Sequence, residues 1–395
     1  MGSEWGHRSF FLSSAVQGKR IKINAIFAPM KSRLEEIFSS VPDPRVEGRC
    51  SHKLIDILTI SLCTLIAGGE DFEDMVEFGL QKEGLLRSFL ELPNGIPSHD
   101  TFNRTYQIID SQALDKCLGA HGKELLDILT DKQICLDGKK LRGVTPTLRG
   151  NQGIYLLNAW VAENKICIGQ LKVEDKSNEI TAIPKLLEQI EIAGSIVSID
   201  AIGCQKKIAE CIRLKEADYL LAVKENQKDL FEEVSSAFNY HTPTQDKAQV
   251  ERNHGRTEER QCSLLPALEV LSPNLLVQWR DVKTIIKIDA RRTIKNVVEQ
   301  ETRYYISSDN SCKPLFFNSL VRSHWSIENQ LHWHLDVTFN EDASRARKGN
   351  APLNLSTMRK IALHLVGQMN DKISFQKRRY RAALNDDYLL KVLRF

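Results

Sequence analysis

Two acidic residues close apolar, β-branched runs: Asp137 follows Ile134-Cys135-Leu136, and Asp200 follows Ile196-Val197-Ser198-Ile199. In an open α/β sheet ligands gather beyond the carboxyl ends of the strands, so acids at two such ends are placed for chemistry. A third acid, Glu328, lies in Arg322-Ser-His-Trp-Ser-Ile-Glu328-Asn-Gln-Leu-His-Trp-His-Leu-Asp336. On a helix it would share a face with Trp325, Leu331 and Leu335, where a carboxylate costs several kcal/mol unless it is paired or metal-bound. Arg322 is the alternative partner, and Asp336 and Glu341-Asp342 are rival third acids. Three converging carboxylates call for hard divalent ions, Mg²⁺ or Mn²⁺. Two such ions suit phosphoryl transfer, one activating a water or 3′-hydroxyl and the other stabilising the leaving oxygen. His324, His332 and His334 raise zinc as an alternative, but positions 332 and 334 project from different sides of a helix.

The elements that would hold these acids fall into two patterns. Residues 30–130 read as helical. Leu54, Ile55, Ile57, Leu58, Leu62 and Leu65 form one buried helix, Phe72, Met75, Val76 and Phe78 begin another, and Ser98 or Asp100 caps a third bearing Phe102, Tyr106 and Ile109. Short helices broken by Pro-Ser turns fit either a helix-turn-helix DNA reader or a plain bundle. From residue 133 the pattern changes. Gln133–Leu136, Ile154–Ala162 and Lys165–Val173 are strand-like, followed by a helix around Ile183 to Ile190, strand Ser195–Ile199, helix Lys206–Lys215 and strand Tyr219–Val223. That order predicts a mixed sheet led by a three-stranded meander. Residues 245–310 read as a β-rich insertion (Leu275–Trp279, Thr284–Ile288, Arg303–Ile306), and helices return at 314–337 and 353–370.

Composition excludes several classes. The chain has 395 residues, is 42% hydrophobic and 27% charged, and so resembles neither disordered nor fibrous proteins. Its net charge of +3 excludes a histone-like coat, yet the charge is unevenly spread. Residues 1–29 hold Arg8, Lys19, Arg20 and Lys22 against Glu4 alone, and residues 345–395 hold the densest basic stretch, including Lys377-Arg378-Arg379-Tyr380-Arg381. The body between them is acidic. We read 1–29 as an extension outside the fold and 371–395 as a basic C-terminal tail suited to phosphate backbones. Nine cysteines without a CxxC pair indicate a reducing, cytoplasmic setting. The best membrane candidate, residues 54–67, is too short and contains Asp56.

A resemblance now becomes specific. Asp137-Gly-Lys-Lys-Leu-Arg142-Gly, Ser198-Ile-Asp200-Ala-Ile-Gly-Cys-Gln205, Val223-Lys224-Glu-Asn-Gln227, His254-Gly-Arg256-Thr-Glu258-Glu-Arg260 and His324-Trp-Ser-Ile-Glu328-Asn-Gln-Leu-His-Trp333 occur in this order. Together they resemble the H-repeat-associated, ISAs-type insertion-sequence transposases, a bacterial branch of the DDE transposases, from about Met30 to about residue 370. The resemblance implies an α/β chain: an all-helical N-terminal domain at 30–130, then an RNase H-like mixed-sheet catalytic core at 131–370 with the β insertion at 245–310. It implies a catalytic and metal-binding triad of Asp137, Asp200 and Glu328 holding two Mg²⁺ or Mn²⁺ ions. The activity implied is cleavage of double-stranded DNA at element ends and transfer of 3′-hydroxyls to target DNA, by a homodimer at the bacterial nucleoid. Lys139, Arg142, Lys224, Arg256, Arg322 and Lys348 are the phosphate-contact candidates. Related families place a Lys seven residues after the Glu, where this chain has Leu335. Two alternatives stand beside this reading: a transposase-derived DNA-binding protein that no longer transposes, and a structure-selective nuclease without strand transfer.

Overall fold

The helix and strand signals resolve, among the described residues, into two compact units, one of those up to 117 with 346–394 and one of those from 118 to 345. A computed structural model of the chain describes residues 34–125, 131–144, 153–174, 178–253, 255–295 and 297–394; the segment 1–29 lies outside the described residues. In chain order the principal elements begin with helices α1 (Leu54–Ala67), α2 (Phe72–Gln81) and α3 (His99–Ile108). Strands β1 (Gln133–Leu141), β2 (Ile154–Val161) and β3 (Ile166–Val173) come next, then α4 (Glu179–Gln189), β4 (Ile196–Ile199), α5 (Lys206–Leu214), β5 (Asp218–Val223) and α6 (Lys228–Tyr240). Then come β6 (Thr244–Gln245), β7 (Gln249–Asn253), β8 (Arg256–Pro266), β9 (Thr284–Ile294) and β10 (Val297–Ser307). The chain closes with α7 (Pro314–His324), α8 (Ala351–Gly367), α9 (Phe375–Leu384) and α10 (Asp386–Val392).

In the first unit α1 is apolar nearly all round and is buried on nearly all sides, as such a helix must be. Its one acid, Asp56, accepts a hydrogen bond from the Leu92 backbone N–H at 3.1 Å. Ser98 caps α3, its hydroxyl accepting from the Thr101 N–H. The stretch read as a basic tail is instead folded as α9 and α10. Arg379 is buried and donates to the carbonyls of Leu65 (3.0 Å) and Gly69 (3.2 Å), while Arg359 donates to that of Glu70 (3.2 Å). Two guanidinium groups thus satisfy carbonyls at and just beyond the C-terminus of α1, where unpaired acceptors and the negative dipole end collect. Burial pushes Arg379 down to about 10. Lys377, Tyr380 and Arg381 are exposed.

Gly349 joins this unit tightly. Its φ is +54°, and a Cβ there would lie 2.4 Å from the backbone oxygen of Gln107. Gly349→Ala is expected to cost about 2 kcal/mol or more, read as a lower urea midpoint; an unchanged midpoint would contradict the assignment.

In the second unit the strands form one mixed sheet in the order β3-β2-β1-β4-β5-β10-β9-β8-β6, with β7 paired to β8. β1, β4 and β5 run parallel and the other pairings are antiparallel. The predicted order of three strands, helix, strand, helix, strand is present. The strands of the insertion extend the same sheet, because β10 pairs with β5. Residues 275–279, expected as a strand, instead fall at a short helix, Pro273–Gln278, followed by Trp279: Pro273 sits at a first helical turn and Leu275 packs inward. One face of the sheet is covered by α4, α5 and α6 through Ile183, Leu186, Ile208, Ile212, Leu230 and Val234. The other face packs Leu220, Ile286 and Ile288 against Phe317, Leu320 and Val321 of α7. Among the described residues no helix is long and apolar enough to cross a membrane.

Candidate active site

Side chains of a strand alternate between its two faces. On β1, Ile134 and Leu136 enter the core beneath α4–α6, so Gln133, Cys135, Asp137 and Lys139 face the segment that runs from α7 to residue 342. Each touches a later part of that segment than the one before. Gln133 donates to the Leu320 carbonyl at 2.9 Å, and the Cys135 thiol lies 3.8 Å from that of Ser323. Asp137 meets His332 and Glu328, and Lys139 reaches Asp336, Glu341 and Asp342. The register on the other side completes the arrangement. Leu136 of β1 pairs with Ile199 of β4, so Asp137 and Asp200 are the next residues on adjacent parallel strands. Ser198, two residues before Asp200, bonds His324 of α7 at 2.9 Å and accepts from Gln133 at 2.7 Å. Asp200 therefore emerges on the α7 face as well.

Asp137, Asp200 and Glu328 line one cleft of about 220 Å³, together with Lys224, Arg303 and His324. One oxygen of Asp137 accepts from the Gly138 N–H (2.9 Å), and one oxygen of Asp200 accepts from Ile202 N–H (3.1 Å) and Gly203 N–H (3.4 Å). These turns fix each carboxylate and leave its second oxygen for the cleft. Glu328 sits on a π-helical turn, Ile327–His332, a rare geometry that recurs at functional sites. His332 is 5% exposed. Its Nδ1 lies 3.6 Å from Asp137 and 3.7 Å from Glu328, and its Nε2 lies 3.4 Å from the Asn158 amide. Asn158 is the β2 residue directly paired with Asp137.

The electrostatics are those of crowded acids. Burial, with Glu328 and then Asp200 beside it, pushes the Asp137 carboxyl up to about 8. The His332 imidazole holds Glu328 below the usual carboxylate range, and burial takes His324 down to about 4. Asp137, Glu328 and His332 present ligand atoms within 4.8 Å of one another. That spacing and donor set fit a divalent cation, which would also relieve the repulsion between the carboxylates.

Residues 129–365 match the family described as "Transposase DDE domain", and residues 35–121 match its "DDE_Tnp_1-associated" region. The chain belongs to the DDE transposase family. It is 37% identical over 373 residues to "Putative transposase YncI" of Escherichia coli O157:H7, covering 91% of this chain and 94% of that protein. It is 36% identical to "H repeat-associated putative transposase YhhI" of Escherichia coli strain K12, covering 91% and 97%. These matches agree with the H-repeat-associated branch, and the mixed sheet with its β-strand extension is the RNase H-like core of a DDE transposase.

Several residues of this DDE transposase stand elsewhere than the sequence implied. Asp137 lies within β1 rather than at its end, because the strand continues to Leu141. Glu328 is 53% exposed at its side chain and faces the cleft, not the apolar surface that straight helical spacing assigns it; Leu331 and Leu335 are buried without it. Arg322 pairs with Glu251 rather than with Glu328. Lys139 is not open to a phosphate: it is 7% exposed, with Asp336 at 2.6 Å, Glu341 at 3.0 Å and Asp342 at 3.6 Å, which also engages the rival third acids. Arg142 is exposed, with Asp342 at 3.6 Å. Lys224 stands exposed at the cleft, and Arg256 and Arg322 line an adjoining groove with Arg260, Arg292 and Arg303. Lys348 is exposed and belongs to the other unit. Sequence reasoning missed Arg303 and weighed His332 only as a zinc ligand with His324 and His334, whereas the structure sets it beside Asp137 and Glu328; the signal was its i+4 spacing from Glu328.

Gly138 is required here by space. A Cβ would lie 2.2 Å from the Tyr155 ring and 2.5 Å from a Glu179 carboxylate oxygen. Gly138→Ala is expected to cost about 1–3 kcal/mol by overpacking and to displace the adjacent Asp137. Melting and divalent-ion titration would both register it, and wild-type values in both would contradict it.

Proposed function

We propose that this transposase cuts double-stranded DNA at the ends of an insertion sequence and joins the freed 3′-hydroxyls to target DNA. Asp137, Asp200 and Glu328 act as the catalytic triad. The observation that carries this reading is the register of β1 against β4, which sets Asp137 and Asp200 side by side in a cleft that Glu328 also lines. These acids would hold two Mg²⁺ or Mn²⁺ ions, which when bound would activate the attacking oxygen as Lewis acids and stabilise the leaving one.

The chain's own residues do the rest. Backbone N–H groups at 138, 202 and 203 orient the Asp137 and Asp200 carboxylates before DNA arrives. Lys224 at the cleft, and Arg256, Arg303 and Arg322 in the adjoining groove, neutralise phosphates and fix the register of the strand without reading sequence. Arg303 lies 5.0 Å over the exposed Trp325 ring, a flat cationic surface beside the cleft.

The test is incubation of the protein and Mg²⁺ with duplexes carrying the ends of its own element beside a target plasmid. Nicked ends together with joined products are expected. Cut products without joining would reduce the activity to a nuclease, and binding without nicking would leave a DNA-binding protein.

A further inference from the structure

Lys139 is the last of the β1 residues that touch the segment from α7 to residue 342, and its surroundings are unusual. A buried ammonium meets three carboxylates: Asp336 and Asp342, which are half-buried, and Glu341, which is only 2% exposed. The two backbones also approach closely nearby. The Arg142 N–H donates to Asp342 at 3.3 Å, and a Cβ on Gly143 would lie 2.3 Å from the Asp342 carbonyl oxygen and 2.6 Å from that of Ser344. Residues 139–143 are therefore fastened to residues 336–344, which begin in the π-helical turn (His334–Thr338) that follows the one carrying Glu328 and His332.

We propose that Lys139 is a positioning residue. It is a fixed internal cation that locks the Glu328-bearing segment onto the strand of Asp137, setting the separation of two of the triad acids. It acts on the reaction only through them, and this inference rests on the functional reading above. A lysine that contacted DNA would be solvated in the free protein, whereas this one has exchanged water for carboxylates. Removing Lys139 leaves its three carboxylates uncompensated, and removing Glu341 with it takes away the most deeply buried of them. Glu341 is the acid least able to recover its solvation and is thus the natural partner for the test.

The experiment compares the wild type, Lys139→Met and Lys139→Met/Glu341→Gln in the full chain. Three quantities are read: Mn²⁺ affinity by electron paramagnetic resonance, single-turnover cleavage, and DNA affinity across a salt series. Lys139→Met is expected to bind Mn²⁺ about 10-fold more weakly and to cleave about 30-fold more slowly, in the range for residues that orient metal ligands. Its DNA affinity should stay within twofold with an unchanged salt slope, because no phosphate contact is lost. The double variant, which removes the most deeply buried of the acids together with the cation but does not restore the lock, should fold and yet bind Mn²⁺ as weakly as Lys139→Met. A double variant that folds and regains wild-type Mn²⁺ affinity would overturn the proposal, because the loss in Lys139→Met would then come from an orphaned charge and not from a missing lock. So would a shallower salt slope in Lys139→Met, which would return Lys139 to the DNA contacts. Wild-type protein that binds Mn²⁺ yet never cleaves would defeat the transposase reading and leave this one standing.

Discussion

Asp137→Asn is expected to abolish metal-dependent strand cleavage and, at the same time, to stabilise the metal-free protein. The first half follows from loss of a metal-holding carboxylate. Stabilisation of the transition state by bound ions is worth several kcal/mol, and at about 1.4 kcal/mol per decade this predicts a loss on the order of 10³-fold or more. Asp200→Ala and Glu328→Ala should behave alike, with DNA affinity within about threefold of the wild type, since none of these acids attracts phosphate by itself. Full cleavage by any one of the three would remove that residue from the triad.

The second half follows from the crowding at Asp137, whose carboxyl is pushed up to about 8 by burial and by Glu328 and Asp200. An aspartate in the unfolded chain titrates near 4. Between roughly pH 4 and 8 the folded protein therefore holds a proton that the unfolded chain has released, and stability falls as pH rises through that window. Asparagine does not ionise, so Asp137→Asn should escape this loss. Its advantage in urea unfolding with a chelator present should be small at pH 4–5 and largest near pH 8. Added Mg²⁺ should stabilise the wild type and leave the variant nearly unchanged.

His332→Ala should produce the next largest loss. The imidazole fills the space between Asp137, Glu328 and Asn158, at 3.6, 3.7 and 3.4 Å. Without it Glu328 loses the group that holds it below the usual carboxylate range. A 10- to 100-fold fall in single-turnover cleavage is expected, the usual cost of losing a residue that orients a metal ligand. DNA affinity should be unaffected. A wild-type rate would show that Glu328 is held by its helix alone.

The sheet and two of the acids were legible because they depend on local pattern. Apolar runs such as Ile196-Val197-Ser198-Ile199 fix a buried strand, and the acid that ends one stands out. Glu328 was found as a residue but assigned the wrong face. Straight helical spacing places it with Leu331 and Leu335, whereas the π-helical turn at Ile327–His332 rotates it toward the cleft. The same turn brings His332 beside Asp137. No periodicity rule registers a π turn, because it needs tertiary packing to exist.

The charged residues were least legible. Lys139 follows Asp137 closely and reads as a phosphate contact, but its carboxylate partners lie some two hundred positions later in the chain. Arg378 and Arg379 read as part of a basic tail, yet Arg379 is spent on carbonyls at the end of α1. A sequence shows that a charge is present; the fold decides whether water, an acid or a backbone carbonyl receives it.

The most direct measurement of the central claim is cleavage of an element-end duplex whose scissile linkage carries sulfur in place of the bridging 3′-oxygen. An ion held by these acids would stabilise that leaving atom, and Mg²⁺ binds sulfur poorly whereas the softer Mn²⁺ accepts it. Cleavage of the sulfur substrate is predicted to fail in Mg²⁺, to return in Mn²⁺, and to be absent with Asp200→Ala in either metal. Equal cleavage in both metals, or cleavage by the Asp200 variant, would contradict the account.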